Sequence, residues 1–166
     1  MRRQPTNILF AIIDKTRGSG ALAGVIGLFF MSAENLSVEV GWDLVFPAFR
    51  RTYVTNNAIG LLVRYCLELP STAQRTGLGL RRVQWTAHTA NQASQTAAQR
   101  MGFKEEGVLR WTWVLPEGKE GNGIALRDGD PESPRPGRDS VMLSLFADDW
   151  ESGGREHVRR LIDRRY

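Results

Sequence analysis

The apolar residues Ile59, Leu62, Val63, Cys66 and Leu67 recur at helical spacing, and this stripe constrains the fold more than any other feature. It predicts a helix with one apolar face, and such a face must be covered by a second layer. What surrounds it reads as strand. Upstream lie Asn7 to Asp14 (NILFAIID), Leu22 to Met31 (LAGVIGLFFM) and Ser37 to Phe46 (SVEVGWDLVF). Lys15 to Gly20 is a turn, so the first two runs form a hairpin. Pro47 ends the third run because proline cannot donate to a ladder. Thr52, Thr55 or Asn56 supplies a cap for the helix, and Pro70 stops it.

Downstream, Ser71 to Gly79 reads as a polar loop and Arg82 to Thr86 as a fourth strand. Asn91 is an N-cap for a second helix, whose apolar face is expected to be Ala90, Ala93, Ala97 and Met101. Gly102 fits a left-handed C-terminal cap. Gly107 to Leu115 alternates as a fifth strand, and Asp139 to Phe146 is its expected antiparallel partner. Between them, about 116–138 is rich in proline and glycine and is expected to be a flexible loop. A helical tail opens at Ala147 and resumes near Arg155. The order ββ, β, α, β, α, ββ, α over residues 1–166 argues one α/β (α+β) domain on a largely antiparallel sheet.

Bulk properties exclude several classes. No apolar run is long enough to span a bilayer, and the richest one, Leu22 to Met31, is broken by Gly24 and Gly27. The start carries no signal-peptide pattern. One cysteine permits no intrachain disulfide, and with two histidines there is no metal-ligand cluster, so no metal is expected. The reading is a reduced, cytoplasmic protein. Its net charge of +4 suits an anionic partner. The charge gathers at Arg50-Arg51, at Arg81-Arg82 and in the tail from His157 to Arg165. No aromatic-interleaved basic motif supports nucleic-acid readout, and the tail reads as a solvated helix face.

The chemistry concentrates where the third strand turns into the first helix, from Val45 to Asn57. The first turn of a helix presents unpaired N–H groups, and with the positive end of the dipole these make an anion site. Arg50 and Arg51 stand at its mouth and can pair with phosphate oxygens. Thr52 and Thr55 add hydroxyls. By itself this pattern equally describes a capped helix after an exposed basic loop.

Further motifs narrow the choice. Arg51-Thr52-Tyr53-Val54-Thr55-Asn56 is similar to the Arg-Thr-x-x-Asn-Thr pyrophosphate loop of the RimJ/RimL-like branch of the GNAT superfamily of N-acetyltransferases. Asn91 and Ser94 match that family's Asn-x-x-Ser. Arg100, Gly102-Phe103 and Glu106-Gly107 match its Arg-x-Gly-Phe-x-x-Glu-Gly. Glu39-Val40-Gly41-Trp42 resembles its Glu-Ile-Gly-Trp strand, and Arg138-Asp139-Ser140 its late Arg-Asp-Ser strand. The resemblance runs from about Phe10 to Trp150. The family opens with a further strand and two helices that have no counterpart ahead of Asn7 here, so the chain reads as N-terminally short.

The resemblance implies a GNAT-like sheet whose central parallel strands, Val38 to Phe46 and Arg82 to Ala87, splay apart. It implies acetyl-CoA as acetyl donor. The pantetheine arm would bond to backbone at Asp43, Leu44 and Val45, and the diphosphate would lie on Arg50, Arg51, Thr52, Tyr53, Val54 and Thr55. Asn91 and Ser94 would hold the arm near the thioester. The acceptor would be a primary amine of a small molecule or of a peptide N-terminus. Glu39 is the first candidate for the base that takes the amine proton, and an outward-facing strand carboxylate is the alternative reading. His88 is a second candidate for that base. A backbone N–H near Leu44 or Val45 would serve the oxyanion. Many members carry a tyrosine acid where Ala98 stands, so Ser94 is the remaining candidate near the sulfur. A non-catalytic CoA-binding or structural domain stays open as an alternative, and so does a homodimer. Trp42, Trp85, Trp111 and Trp113 are expected in the core or lining a cleft rather than as a stacking platform; Trp111 and Trp113 share one strand face, with the core as the expectation and an acceptor pocket as the alternative.

Overall fold

A computed structural model of the chain describes residues 6–70 and 77–162. Its six strands are β1 (Ile8–Asp14), β2 (Ala21–Ser32), β3 (Ser37–Val45), β4 (Arg82–His88), β5 (Lys104–Val114) and β6 (Gly137–Phe146). They form one sheet in the order β1-β2-β3-β4-β6-β5. Every neighbouring pair is antiparallel except β3 and β4. The sheet is therefore the mixed, mostly antiparallel one expected. Helix α1 (Tyr53–Leu67) links β3 to β4, and α2 (Gln92–Arg100) links β4 to β5. After β6, a turn of helix (Ala147–Asp149) and a π-helical stretch (Trp150–Gly154) lead into α3 (Arg155–Ile162).

Both crossovers step the same way across the sheet, so right-handed connections place α1 and α2 on one face. The core confirms this. Ile26, Leu28, Val38, Val40, Val83, Trp85, Leu143 and Leu145 of the sheet pack with Ile59, Val63, Cys66, Ala98, Met101 and Val158. All five residues of the α1 stripe are buried. Gly60 lets α3 come close, since a β-carbon there would lie 2.5 Å from Ile162. The arginines of α3 are largely used up in ion pairs: Arg155 with Glu68 and Glu151, and Arg159 with Glu156. The end of the basic tail and most of the loop after Pro70 lie outside the described residues.

Several local expectations need correction. The buried face of α2 is Gln95, Ala98 and Met101, whereas Ala90 and Ala93 are exposed. Gln95 is buried because its amide donates to the carbonyls of His88 and Thr89, which closes the end of β4. Gly102 does end α2 with positive φ: its N–H reaches Gln99 and the N–H of Phe103 reaches Ala98, a Schellman motif. β5 begins three residues earlier than its alternation suggests, and Trp111 and Trp113 are exposed rather than core. The register slips between Leu109 and Trp113, and Trp111 has a φ of 55°. The chain between β5 and β6 carries no regular element, and in it Asn122 donates to the Asp139 carboxylate and to the Gly137 carbonyl.

Gly24 is the tightest point of the sheet, because a β-carbon there would lie 2.1 Å from the Leu44 carbonyl oxygen. Gly24→Ala must part β2 from β3, and urea unfolding should show a loss on the order of 2–3 kcal/mol.

Candidate active site

The parallel pairing of β3 with β4 lasts only three positions: Ser37 with Arg82, Val38 with Val83 and Glu39 with Gln84. Beyond Glu39 both strands continue without pairing each other, so a gap opens through the sheet. Glu39 stands at the apex of this fork. One of its carboxylate oxygens accepts from the Gln84 amide at 3.2 Å, and the other accepts a very short bond from the Thr86 hydroxyl. These side chains alternate with the buried Val38, Val83 and Trp85, so they lie on the sheet face opposite the helices.

On the helix side, the N-termini of α1 and α2 converge at the open end of the fork. They enclose a cleft of about 380 Å³ lined by Arg51, Thr52, Thr55 and Asn56 of the first turn and by Gln92, Ala93, Thr96, Ala97 and Arg100 of α2. Thr52 caps α1: its Oγ1 accepts from the Val54 N–H and donates to the Phe49 carbonyl. Arg51 is held in the left-handed region, with a φ of 60°, a conformation that costs an ordinary residue about 1–2 kcal/mol. Arg50 turns back instead, and its Nε donates to the Val45 carbonyl at 3.1 Å. Val54 is buried in a small apolar cluster with Ala23 and Phe49, so only its backbone can serve a ligand. Tyr53 points away from the cleft. Its hydroxyl donates to Asp14 and meets Thr16, which buttresses the β1–β2 turn.

Arg100, Gln92 and Thr96 line the cleft and were not among the expected site residues. Their signal was the small Ala93 and Ala97 beside them, which read as core but leave room for a ligand. Asn91 caps α2 through the Ser94 N–H. The Ser94 hydroxyl in turn accepts from the buried Trp85 indole at 2.9 Å, which keeps its own proton free to donate. His88 Nδ1 accepts from the Ala90 N–H; in the neutral ring this leaves Nε2 as a donor.

The β2–β3 register sorts the three backbone positions. The N–H of Phe46 donates to Ala23, and Leu44 pairs with Val25 two residues on. Alternation therefore turns Leu44 toward β2 and Val45 toward the gap. Between Gly41 and Leu44 the register slips, with Trp42 at a φ of 53°. Asp43 follows in that bulge, and one of its carboxylate oxygens is buried without a hydrogen-bond partner. Burial pushes its pKa up to about 6. An orphaned acceptor beside the gap is suited to an N–H donor from a bound ligand.

A sheet forked at its parallel pair, with two helix N-termini at the mouth of the fork, defines an α/β domain whose open strands and helix ends are suited to an extended anionic ligand. Comparison with known proteins makes the class specific. The acetyltransferase (GNAT) domain model matches residues 1–104, and the chain belongs to the GNAT acetyltransferase family. It is 30% identical over 94 residues to the uncharacterised N-acetyltransferase YoaA of Bacillus subtilis, covering 57% of this chain and 48% of that protein. A GCN5-related N-acetyltransferase from Brucella melitensis superposes with a TM-score of 0.72 at 26% identity, over 96% of this chain and 59% of that one. A spermidine N-acetyltransferase SpeG chimera from Vibrio cholerae and hSSAT shares the fold, with a TM-score of 0.65 at 13% identity over 90% of this chain and 75% of its own. The chain thus spans about half the length of the curated relative it matches. Among the described residues no helix is long and apolar enough to cross a membrane, and no group of three His, Cys, Asp or Glu side chains could hold a metal.

Two substitutions test this geometry. Arg51→Gly should relieve the left-handed strain and raise stability in urea by about 0.5–1 kcal/mol. The raised Asp43 pKa means that the folded state holds the proton more tightly than the unfolded chain. Its contribution to stability is therefore lost as pH rises from about 4 to about 6. Asp43→Asn should flatten the pH dependence of stability in that window and gain on the order of 2–3 kcal/mol at neutral pH.

Proposed function

We propose that this chain carries the donor-binding and catalytic parts of an acetyl-CoA-dependent N-acetyltransferase of the RimJ/RimL-like branch, acting on a primary amine of a small molecule or of a peptide N-terminus. The observation that carries the reading is the fork at Glu39 and Gln84 with both helix N-termini at its mouth. The residues fit the donor. Arg51 and Arg100 are the charged groups of the cleft and would pair with the diphosphate, aided by Thr52, Thr55 and first-turn N–H groups. Val45 and Asp43, turned to the gap, would bond the pantetheine amides. Asn91 and Ser94 would flank the arm where it passes the sheet.

When bound, the thioester supplies an acyl carbon open to attack and a thiolate that leaves with little help. The chain supplies position and proton transfer. Glu39, at the apex, would take the amine proton through a water, since both of its oxygens already accept hydrogen bonds. The Val45 backbone N–H faces the gap and would serve the oxyanion. Ser94, oriented by Trp85, would donate toward the sulfur. A non-catalytic acyl-CoA-binding domain is the second reading, favoured by the buried Ala98 where many relatives carry a tyrosine acid.

Calorimetry with acetyl-CoA tests the donor site. One-to-one binding is expected, weakened about tenfold in Arg51→Ala and again in Arg100→Gln, as for the loss of one charge-assisted contact each. Absence of binding by the folded chain would sink the reading. Thiol release with a panel of primary amines then separates the enzyme from the non-catalytic binder.

A further inference from the structure

The face of the sheet opposite the helices carries a second constellation beside Glu39. Phe29 stands directly across from Glu39 in the β2–β3 register and shares its face. Its ring lies flat over Gly27 and Gly41: a β-carbon at Gly27 would fall 2.5 Å from the ring, and one at Gly41 3.4 Å. Two glycines thus clear a bed for one phenyl ring. Trp42 stacks on that ring with centroids 5.7 Å apart and planes at 30°. Trp42 is nevertheless 67% exposed, held out by its left-handed backbone at the bulge. An indole fixed in strain with its outer face in solvent is a prepared stacking surface.

Arg138 completes the group. Along β6, Val141, Leu143 and Leu145 face the core, so Arg138 lies on the Glu39 side with Ser140, Met142 and Ser144. Its Nε is buried with no hydrogen-bond partner. Among the described residues its guanidinium makes no ion pair within 4.0 Å, although the Glu39 charge acts on it. A half-buried guanidinium whose Nε has no partner, beside a carboxylate, is suited to a second carboxylate.

We propose that the acceptor is a free α-amino acid with an aromatic side chain. Its ring would stack on Trp42, its carboxylate would meet Arg138, and its amine would be presented to Glu39. This rests on the acetyltransferase reading given above. In the step, the amine nitrogen forms the N–C bond to the acetyl carbon of acetyl-CoA and the C–S bond breaks. The amine proton leaves by way of Glu39, and the sulfur departs as thiolate and is protonated to the free thiol.

Thiol release from acetyl-CoA, measured with phenylalanine, phenethylamine, phenylalaninamide, the dipeptide Phe-Ala and alanine, tests the proposal on the full chain. The expected kcat/KM for phenylalanine is at least about tenfold above that for phenethylamine and for the amide, as for a lost charge-assisted pair. Arg138→Gln should bring the ratio of phenylalanine to phenethylamine near one, and Arg138→Lys should leave an intermediate ratio. Trp42→Ala should narrow the preference for phenylalanine over alanine. Equal use of phenylalanine and phenethylamine by the wild type would overturn the proposal, as would faster use of Phe-Ala or an unchanged ratio in both Arg138 variants. Calorimetry keeps the two readings apart. No acetyl-CoA binding defeats both. If acetyl-CoA binds but no amine releases thiol, titration of N-acetylphenylalanine into the CoA-loaded protein decides. Binding that Arg138→Gln abolishes supports the acceptor site, and no binding defeats it.

Discussion

The shape of this sheet depends on where two parallel strands stop pairing. Strand pairing is cooperative and favourable, so a sheet that opens mid-strand must have a reason at the branch point. A side-chain clasp marks that point and holds the two strands together up to it. The Glu39 carboxylate is held by Gln84 from its register partner and by Thr86 two residues on. On the other face Val38 and Val83 pack in the core at the last paired positions. Past this point the Trp42 bulge turns β3 away, and β4 turns to pair fully with β6 through His88. The opening is thus a product of register on both sides rather than of weak packing.

The fork also divides labour between the two faces of the sheet. The helix side offers backbone dipoles and arginines, a chemistry for phosphate. The opposite side offers stacked rings, a carboxylate and a guanidinium whose Nε is unpaired. A ligand threaded through the gap would meet the second set only at its reactive end. On the proposed reading, the acceptor and the diphosphate would draw on different cations.

The sequence made much of this legible because the signals were local and of one kind. The α1 stripe, the Asn91 cap, the Gly102 stop and the Pro47 break each follow from a single residue's backbone or side-chain preference, and each is found where expected. The failures came where tertiary partners outweigh local pattern. Gln95 is polar by type but buried because two carbonyls at the end of β4 need its donors. Lys104 to Glu106 lie ahead of the expected strand, yet they are strand, tied by Lys104 to Asp149 and by Glu106 to Arg82. Trp111 and Trp113 sit on the edge strand, and Trp113 pairs with Arg138 on the face away from the helices, so both are exposed. The direction of Tyr53 and the unpaired Nε of Arg138 depend on distant strands, so no local pattern could reveal them.

Cys66 gives the molecule an internal clock. It is the sole thiol of the chain, fully buried beneath α1, and burial pushes its pKa up to about 12. In the closed protein it is invisible to alkylating and disulfide reagents, because only an accessible thiolate reacts. Labelling must await the lifting of α1 from the sheet, so its rate counts those openings one by one. The same helix presents its first turn to the cleft, and a ligand settling there would hold the helix down. A single mass shift, followed over time, would read occupancy at one end of α1 as silence at the other.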